Sequence, residues 1–208
     1  MKKIFISLIL FLAGGIAFGQ HLEIIPNGGW QFPAGVDAYY GNDVARFRIK
    51  GAGNYGLGLH FVLPHRYITI SASFSSMNSN LTYETSRNPE TTFSDARQEY
   101  WMFGALKEVS AGPVSPFGGV ILGWTALFPD DPEYKNISKF SVGLEGGVKY
   151  FFSDKVGIMI HGRLLFPIQW AGGGFYLGTG GSGVSFGTGT SIIQGDIGGG
   201  LVFKLGNN

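Results

Sequence analysis

The chain has 208 residues, enough for one domain, with 15 Lys+Arg, 14 Asp+Glu and a formal net charge of +1. That balance excludes the clustered positive charge of a nucleic-acid binder, and the absence of cysteine excludes disulfides, thiolate metal sites, a cysteine nucleophile and a lipid anchor on an N-terminal cysteine. With 35 glycines, 15% aromatic and only 14% charged residues, the composition is unusual for a water-soluble domain and suits strands packed around a curved surface in lipid.

The chain opens on Lys2 and Lys3, continues through an apolar run from Ile4 to Ala13 and reaches a small-residue end at Ala17-Phe18-Gly19. This is the layout of a secretory signal peptide, with cleavage expected after Gly19 and Gln20 as the mature N-terminus. The apolar run is short against the roughly 20 residues of a spanning helix. The expected organisation is a signal peptide over 1–19 and one domain over 20–208. No later segment has an apolar run of helical membrane length, so a membrane form of the mature chain must be a closed barrel, in which every backbone hydrogen bond is made between strands.

Period-2 alternation then predicts eight strands, near residues 22–32, 45–63, 66–78, 97–109, 114–128, 140–152, 156–164 and 193–205. The clearest is the sixth, where Phe140, Val142, Leu144, Val148, Tyr150 and Phe152 share one face and Ser141, Gly143, Glu145, Gly147 and Lys149 the other. In the seventh, Val156, Ile158, Ile160 and Leu164 oppose Met159, His161 and Arg163. In the eighth, Gln194, Asp196 and Lys204 oppose the apolar set. The strand over 97–109 has apolar residues on both faces. Between strands, long and short connections alternate: a loop at 33–44, a turn at 63–66, a long polar loop at 79–96, a turn at 110–113, a loop at 129–136, a turn at 153–155 and a long loop at 171–191. Outer-membrane barrels show this rhythm, with short periplasmic turns and longer external loops, and it leaves both chain ends on the periplasmic side. The expected fold is an all-β, eight-stranded, antiparallel, up-and-down transmembrane barrel. A soluble lipocalin-like barrel would share the alternation but place the apolar face inside; the leader, the loop rhythm, the glycine content and the low charge favour the membrane form.

If the apolar faces meet lipid, Asn27, Gln31, Ser71, Ser73 and Gln194 turn inward with an ionisable network of Glu23, His60, Glu145, Lys149, His161, Arg163, Asp196 and Lys204. Three acids and three bases in a narrow barrel are expected to pair, because unpaired buried charge is costly. Eight strands enclose a space that side chains can fill, so the interior is expected to be plugged, with inward Gly143, Gly147, Gly198 and Gly200 leaving room for water or a small solute. Trp30, Trp101, Trp124 and Trp170 are expected at the membrane boundaries.

No catalytic, cofactor or metal site is expected. Gly178-Thr-Gly180-Gly-Ser-Gly183 matches a nucleotide-binding pattern but lies in a Gly/Ser/Thr-rich stretch without the strand-to-helix context, and reads as a flexible loop. Asp130, Asp131 and Glu133 offer oxygen ligands for calcium and read as a solvated loop. A hydrolase needs a histidine within reach of a nucleophile; none of His21, His60, His65 and His161 sits in an external loop beside a serine and an acid.

The whole mature chain resembles the outer-membrane β-barrel family of Bacteroidota, of the OmpX/OmpA-transmembrane-domain type. The carrying stretches are Leu22-Glu-Ile-Ile-Pro-Asn-Gly-Gly-Trp-Gln-Phe32 and Phe47-Arg-Ile-Lys-Gly-Ala-Gly-Asn-Tyr-Gly-Leu-Gly-Leu59. One departure is that Phe203 is followed by Lys204-Leu-Gly-Asn-Asn208, where many such barrels end on an aromatic residue. The resemblance implies the bacterial outer membrane, no cofactor, and outer-membrane lipid as the surrounding partner, with other envelope proteins meeting loops 79–96 and 171–191. A structural or interaction role is expected first, a narrow porin-like channel second and a lipid-modifying enzyme third.

Overall fold

The computed structural model describes residues 21–40, 43–63, 67–85, 89–168, 176–179, 182–185 and 193–206. The expected signal peptide at 1–19, His65 and Trp170 lie outside them. The strands are β1 (His21–Gln31), β2 (Ala34–Tyr40), β3 (Asp43–Ile49), β4 (Ala52–Leu63), β5 (Ile68–Thr85), β6 (Thr91–Glu108), β7 (Val114–Pro129), β8 (Ile137–Phe151), β9 (Val156–Pro167), β10 (Tyr176–Thr179), β11 (Ser182–Ser185) and β12 (Gln194–Leu205).

Eight of them close a ring in the order β1, β4, β5, β6, β7, β8, β9, β12 and back to β1, every neighbour antiparallel. Closure removes the free edges that an open sheet would present to lipid. The closing seam is glycine on glycine: Gly28 faces Gly199 and Gly29 faces Gly198. The strands approach so closely there that a Cβ on Gly29 would lie 2.3 Å from the Ile197 carbonyl oxygen.

The outer and inner faces decide between the two barrel classes. Val120, Leu144 and Leu164 form one outward row in register across β7, β8 and β9, and each is about half exposed, at 51, 51 and 48%. The alternating residues Met159, His161, Arg163 and Leu165 of β9 are buried. Apolar outside and mixed polar inside is the pattern of a lipid-embedded barrel, the reverse of a lipocalin. β6, apolar on both faces in sequence, turns Trp101 and Phe103 outward and Gln98, Tyr100, Met102, Leu106 and Glu108 inward.

Aromatic side chains mark both edges of the apolar band. On the long-loop side, Phe74 packs on Trp101 with ring centroids 4.5 Å apart, Trp101 stands opposite Trp124, and Trp124 meets Phe140 edge-on at 6.2 Å. Trp30 and Tyr55 stand out on β1 and β4. On the short-turn side stand Tyr67, Tyr150 and Phe152. From Val114 to Trp124 on β7, with a strand rise of about 3.4 Å per residue and a tilt of about 40°, the band is about 26 Å tall, the height of a membrane's apolar layer. Among the described residues no helix is long and apolar enough to span a membrane.

Three expectations about connections are corrected. The expected strand over 45–63 breaks at Lys50–Gly51, where a Cβ on Gly51 would lie 2.9 Å from the Gln31 carbonyl. Its first part, β3, pairs with β2, so the expected loop at 33–44 is half of a β-hairpin. The expected polar loop at 79–96 is the outer half of two 18-residue strands, β5 and β6, with Asn80 facing Asp95 and a bulge at Leu81/Thr82. Standing beyond the lipid, this stretch is wet outside and only partly apolar inside, so Ser79, Asn80, Thr82 and Ser94 hide its period. β3 pairs with this outer half (Ala45 with Thr85 to Ile49 with Leu81) and β4 with the inner half (Asn54 with Met77 to Leu63 with Ile68). A strand wall of β2, β3, β5 and β6 therefore rises above the outer girdle. The expected loop 171–191 holds a hairpin, β10–β11, in its described part; of the G-x-G-x-x-G match, Gly178, Thr179, Ser182 and Gly183 lie in that hairpin, and Gly180 and Gly181 lie outside the described residues.

Candidate functional site

Two ion-pair clusters are stacked in the lumen, separated and capped by apolar side chains. The lower cluster sits at the short-turn end. Lys149 projects from β8 and its Nζ donates to Glu23 Oε2 at 2.5 Å and Glu108 Oε2 at 2.7 Å. Thr69 Oγ1 donates to Glu108 at 2.7 Å, and His21 Nε2 lies 3.1 Å from Glu23 Oε1. Lys149 and Glu23 are wholly buried. Against this floor Phe117 carries His60 on its edge at 5.9 Å and Lys149 over its face at 5.4 Å.

The upper cluster is set by register. Arg163 of β9 stands opposite Glu145 on β8 and opposite Asp196 on β12. Its guanidinium forks onto Asp196, Nε to Oδ1 at 3.1 Å and Nη2 to Oδ2 at 2.7 Å, and Nη2 also reaches Ser75 Oγ at 3.2 Å. His161 Nε2 is 3.7 Å from Asp196 Oδ1. A planar fork on a carboxylate is the strong, directional form of this contact. Beside it Tyr100 donates to Gln194 and accepts from Gln98 Nε2 at 3.0 Å, tying β6 to β12 across the barrel.

Apolar layers fill the remaining cross-section. Ile25, Met102, Leu106, Ile121, Met159, Leu165 and Val202 pack between and around the clusters. Ile49, Met77, Leu81, Ala96 and Leu127 close the external end, with Phe93 and Ile137 against them. The inward glycines do not leave free space. A Cβ on Gly143 would stand 2.9 Å from Leu165 Cδ2 and 3.1 Å from Ile121 Cγ1, one on Gly147 2.8 Å from Phe117 Cζ, one on Gly198 3.1 Å from His161 Cε1 and one on Gly200 2.9 Å from Asn27 Cβ. Each absence of a side chain admits a larger one from a neighbouring strand.

All eight expected network residues face the lumen. Glu23, Lys149, Glu145, Arg163, Asp196, His60 and His161 are buried, while Lys204 stands half-buried at the short-turn mouth. Glu108 joins this network without a signal in the alternation, because apolar residues on both faces of β6 conceal which is inward; its spacing of two from Leu106 and ten from Gln98 places it on the lumen side. Glu23, His60 and Glu108 bring ligand atoms within 4.8 Å of one another, a metal-like spacing, but the Lys149 ammonium already sits on both carboxylates.

No protein-family model matches the chain, and no curated protein is similar to it at a significant level. Solved structures are similar in fold. The crystal structure of the outer membrane protein OprG from Pseudomonas aeruginosa aligns with a TM-score of 0.58 and 12% identity over 90% of this chain and 97% of that one. Neisserial surface protein A aligns with a TM-score of 0.53 and 12% identity over 88% and 97%. The likeness is one of fold. With the inverted faces and the two girdles, it makes the chain a small β-barrel of the bacterial outer membrane.

Proposed function

We propose that this chain is a closed barrel with a structural and interaction role, delivered through the 1–19 leader and related to the OmpX/OmpA-type barrels of Bacteroidota. The observation that carries the reading is the twofold occlusion of the lumen: the Glu23–Lys149–Glu108 floor and the Arg163–Asp196 pair above it, with packed apolar side chains around both. A conducting lumen would have to break buried ion pairs, each costly to open. Contacts with other envelope proteins then run through the strand wall that carries residues 79–96 and through 171–191. His60 and His161 are both buried within the packed lumen, away from the external loops, which disfavours the lipid-modifying reading.

Recordings from the folded protein in planar bilayers test the closure. The expected trace is silent; steady unitary steps would establish the narrow-channel reading instead. Photo-crosslinking in whole cells from Arg48 and Thr91, both exposed on the wall, tests the interaction half: a discrete heavier adduct is expected, and clean monomer from both positions would count against it.

A further inference from the structure

The floor leaves one base without a carboxylate. Lys204 stands opposite Glu23 in the β1–β12 register, but Lys149 occupies both Glu23 and Glu108. Lys204 instead lays its ammonium over the Phe151 ring, 3.5 Å from the centroid. Among the described residues, Lys149 and not Lys204 makes the ion pairs of the floor. An aromatic face attracts a cation without neutralising it, so the ammonium retains its demand for an anion.

That ammonium borders an open groove of ≈ 380 Å³ between the two periplasmic turns, lined also by Phe151, Ser110, Ser115, Phe152 and Asp154. Ser115 Oγ donates to Ser110 Oγ at 3.2 Å, which leaves the Ser110 hydroxyl proton for another acceptor. Phe152 is 61% exposed beside the groove. Asp154 lines the groove on the turn whose next residue, Lys155, is exposed. A cation, a free hydroxyl donor and an exposed aromatic ring around one groove match a carboxylate that carries an apolar flank.

We propose that this groove binds the C-terminal carboxylate of an extended peptide on the periplasmic side. Lys204 and Ser110 hold the carboxylate, and Phe152 packs against the last side chain. Capture of a chain-terminal carboxylate by a few fixed donors is an established mode of peptide recognition, and it is independent of the external contacts proposed above.

The test is fluorescence anisotropy with the full-length folded barrel in detergent and fluorescein-labelled Gly-Ala-Ala-Phe, as the free acid and as the C-terminal amide. The free acid is expected to bind, with the amide weaker by on the order of tenfold or more, since a charge-assisted contact is lost. Lys204→Met, which keeps the stem over Phe151, is expected to weaken the acid on the same order, and Lys204→Arg to retain it. Ser110→Ala, in a turn remote from the floor ion pairs, is expected to cost a smaller factor, and the unboiled gel mobility of each variant reports that the barrel is intact. Equal binding of acid and amide, or no effect of Lys204→Met in an intact barrel, would overturn the proposal. Displacement of the peptide by sodium acetate at equal concentration would overturn it too, reducing the groove to a simple anion site.

Discussion

Lys149→Met is the sharpest perturbation of the lumen. It keeps the length of the side chain and removes the charge that, among the described residues, pairs with both Glu23 and Glu108, which are 0 and 5% exposed. Breaking a buried pair from one side costs about 3–5 kcal/mol, because the carboxylates remain and their compensation does not. At about 1.4 kcal/mol per factor of ten, the folding equilibrium moves by roughly two to three and a half decades. Urea unfolding of the protein in lipid vesicles, followed by the gel shift between folded and unfolded barrel, reads this directly. A triple variant, Lys149→Met with Glu23→Gln and Glu108→Gln, removes all three charges and should recover most of the loss, since a neutral network of similar shape costs little. A loss under about 1 kcal/mol for the single variant, or no recovery in the triple one, would show that the floor is hydrated and screened, and the occlusion argument would fail with it.

Leu144→Lys, in the middle of the outward row, should destabilise the vesicle-embedded barrel by about 2–4 kcal/mol; a neutral result in the same urea titration would mean that this face meets water. Gly143→Leu drives a side chain into Leu165 and Ile121 and should cost about 1–3 kcal/mol by overpacking, whereas an empty lumen would accept it without a change in midpoint. Trp30, Trp101 and Trp124 should be quenched by lipids brominated near the headgroup more strongly than by lipids brominated near the chain ends, and the opposite depth order would displace the outer girdle.

The ring of strands was readable from the sequence wherever one face met lipid and the other did not. β8 and β9 are such strands: Leu144 and Ile160 have no reason to alternate with Glu145 and His161 except that one set meets acyl chains. The signal failed where the environment was the same on both sides. On β6 the lumen is itself apolar at Met102 and Leu106, so the period blurred and Glu108 escaped notice. Above the girdle, water reaches the outer face, and the hairpin over 79–96 and the strand β2 read as loops. The ion pairs were legible as a charge balance, but which base took which acid was not. Lys149 lies 126 residues from Glu23 in sequence, and only the stagger of the ring shows that it, rather than the cross-strand neighbour Lys204, reaches that carboxylate.

The glycine-on-glycine seam bears on how the barrel comes together. Seven of the eight junctions join strands that are near in sequence, each held by a turn or a hairpin insertion. The eighth joins Leu22 to Leu205, the two ends of the chain. Bringing together ends some 180 residues apart costs roughly 4–5 kcal/mol in chain entropy, and Gly28, Gly29, Gly198 and Gly199 contribute no side-chain contacts to offset it. The compensation comes from the distant groups that span the lumen, such as Gln194 on Tyr100 and Lys149 on Glu23. The last junction is thus held from within as well as by its own ladder, and that inner support is available only once the interior has formed.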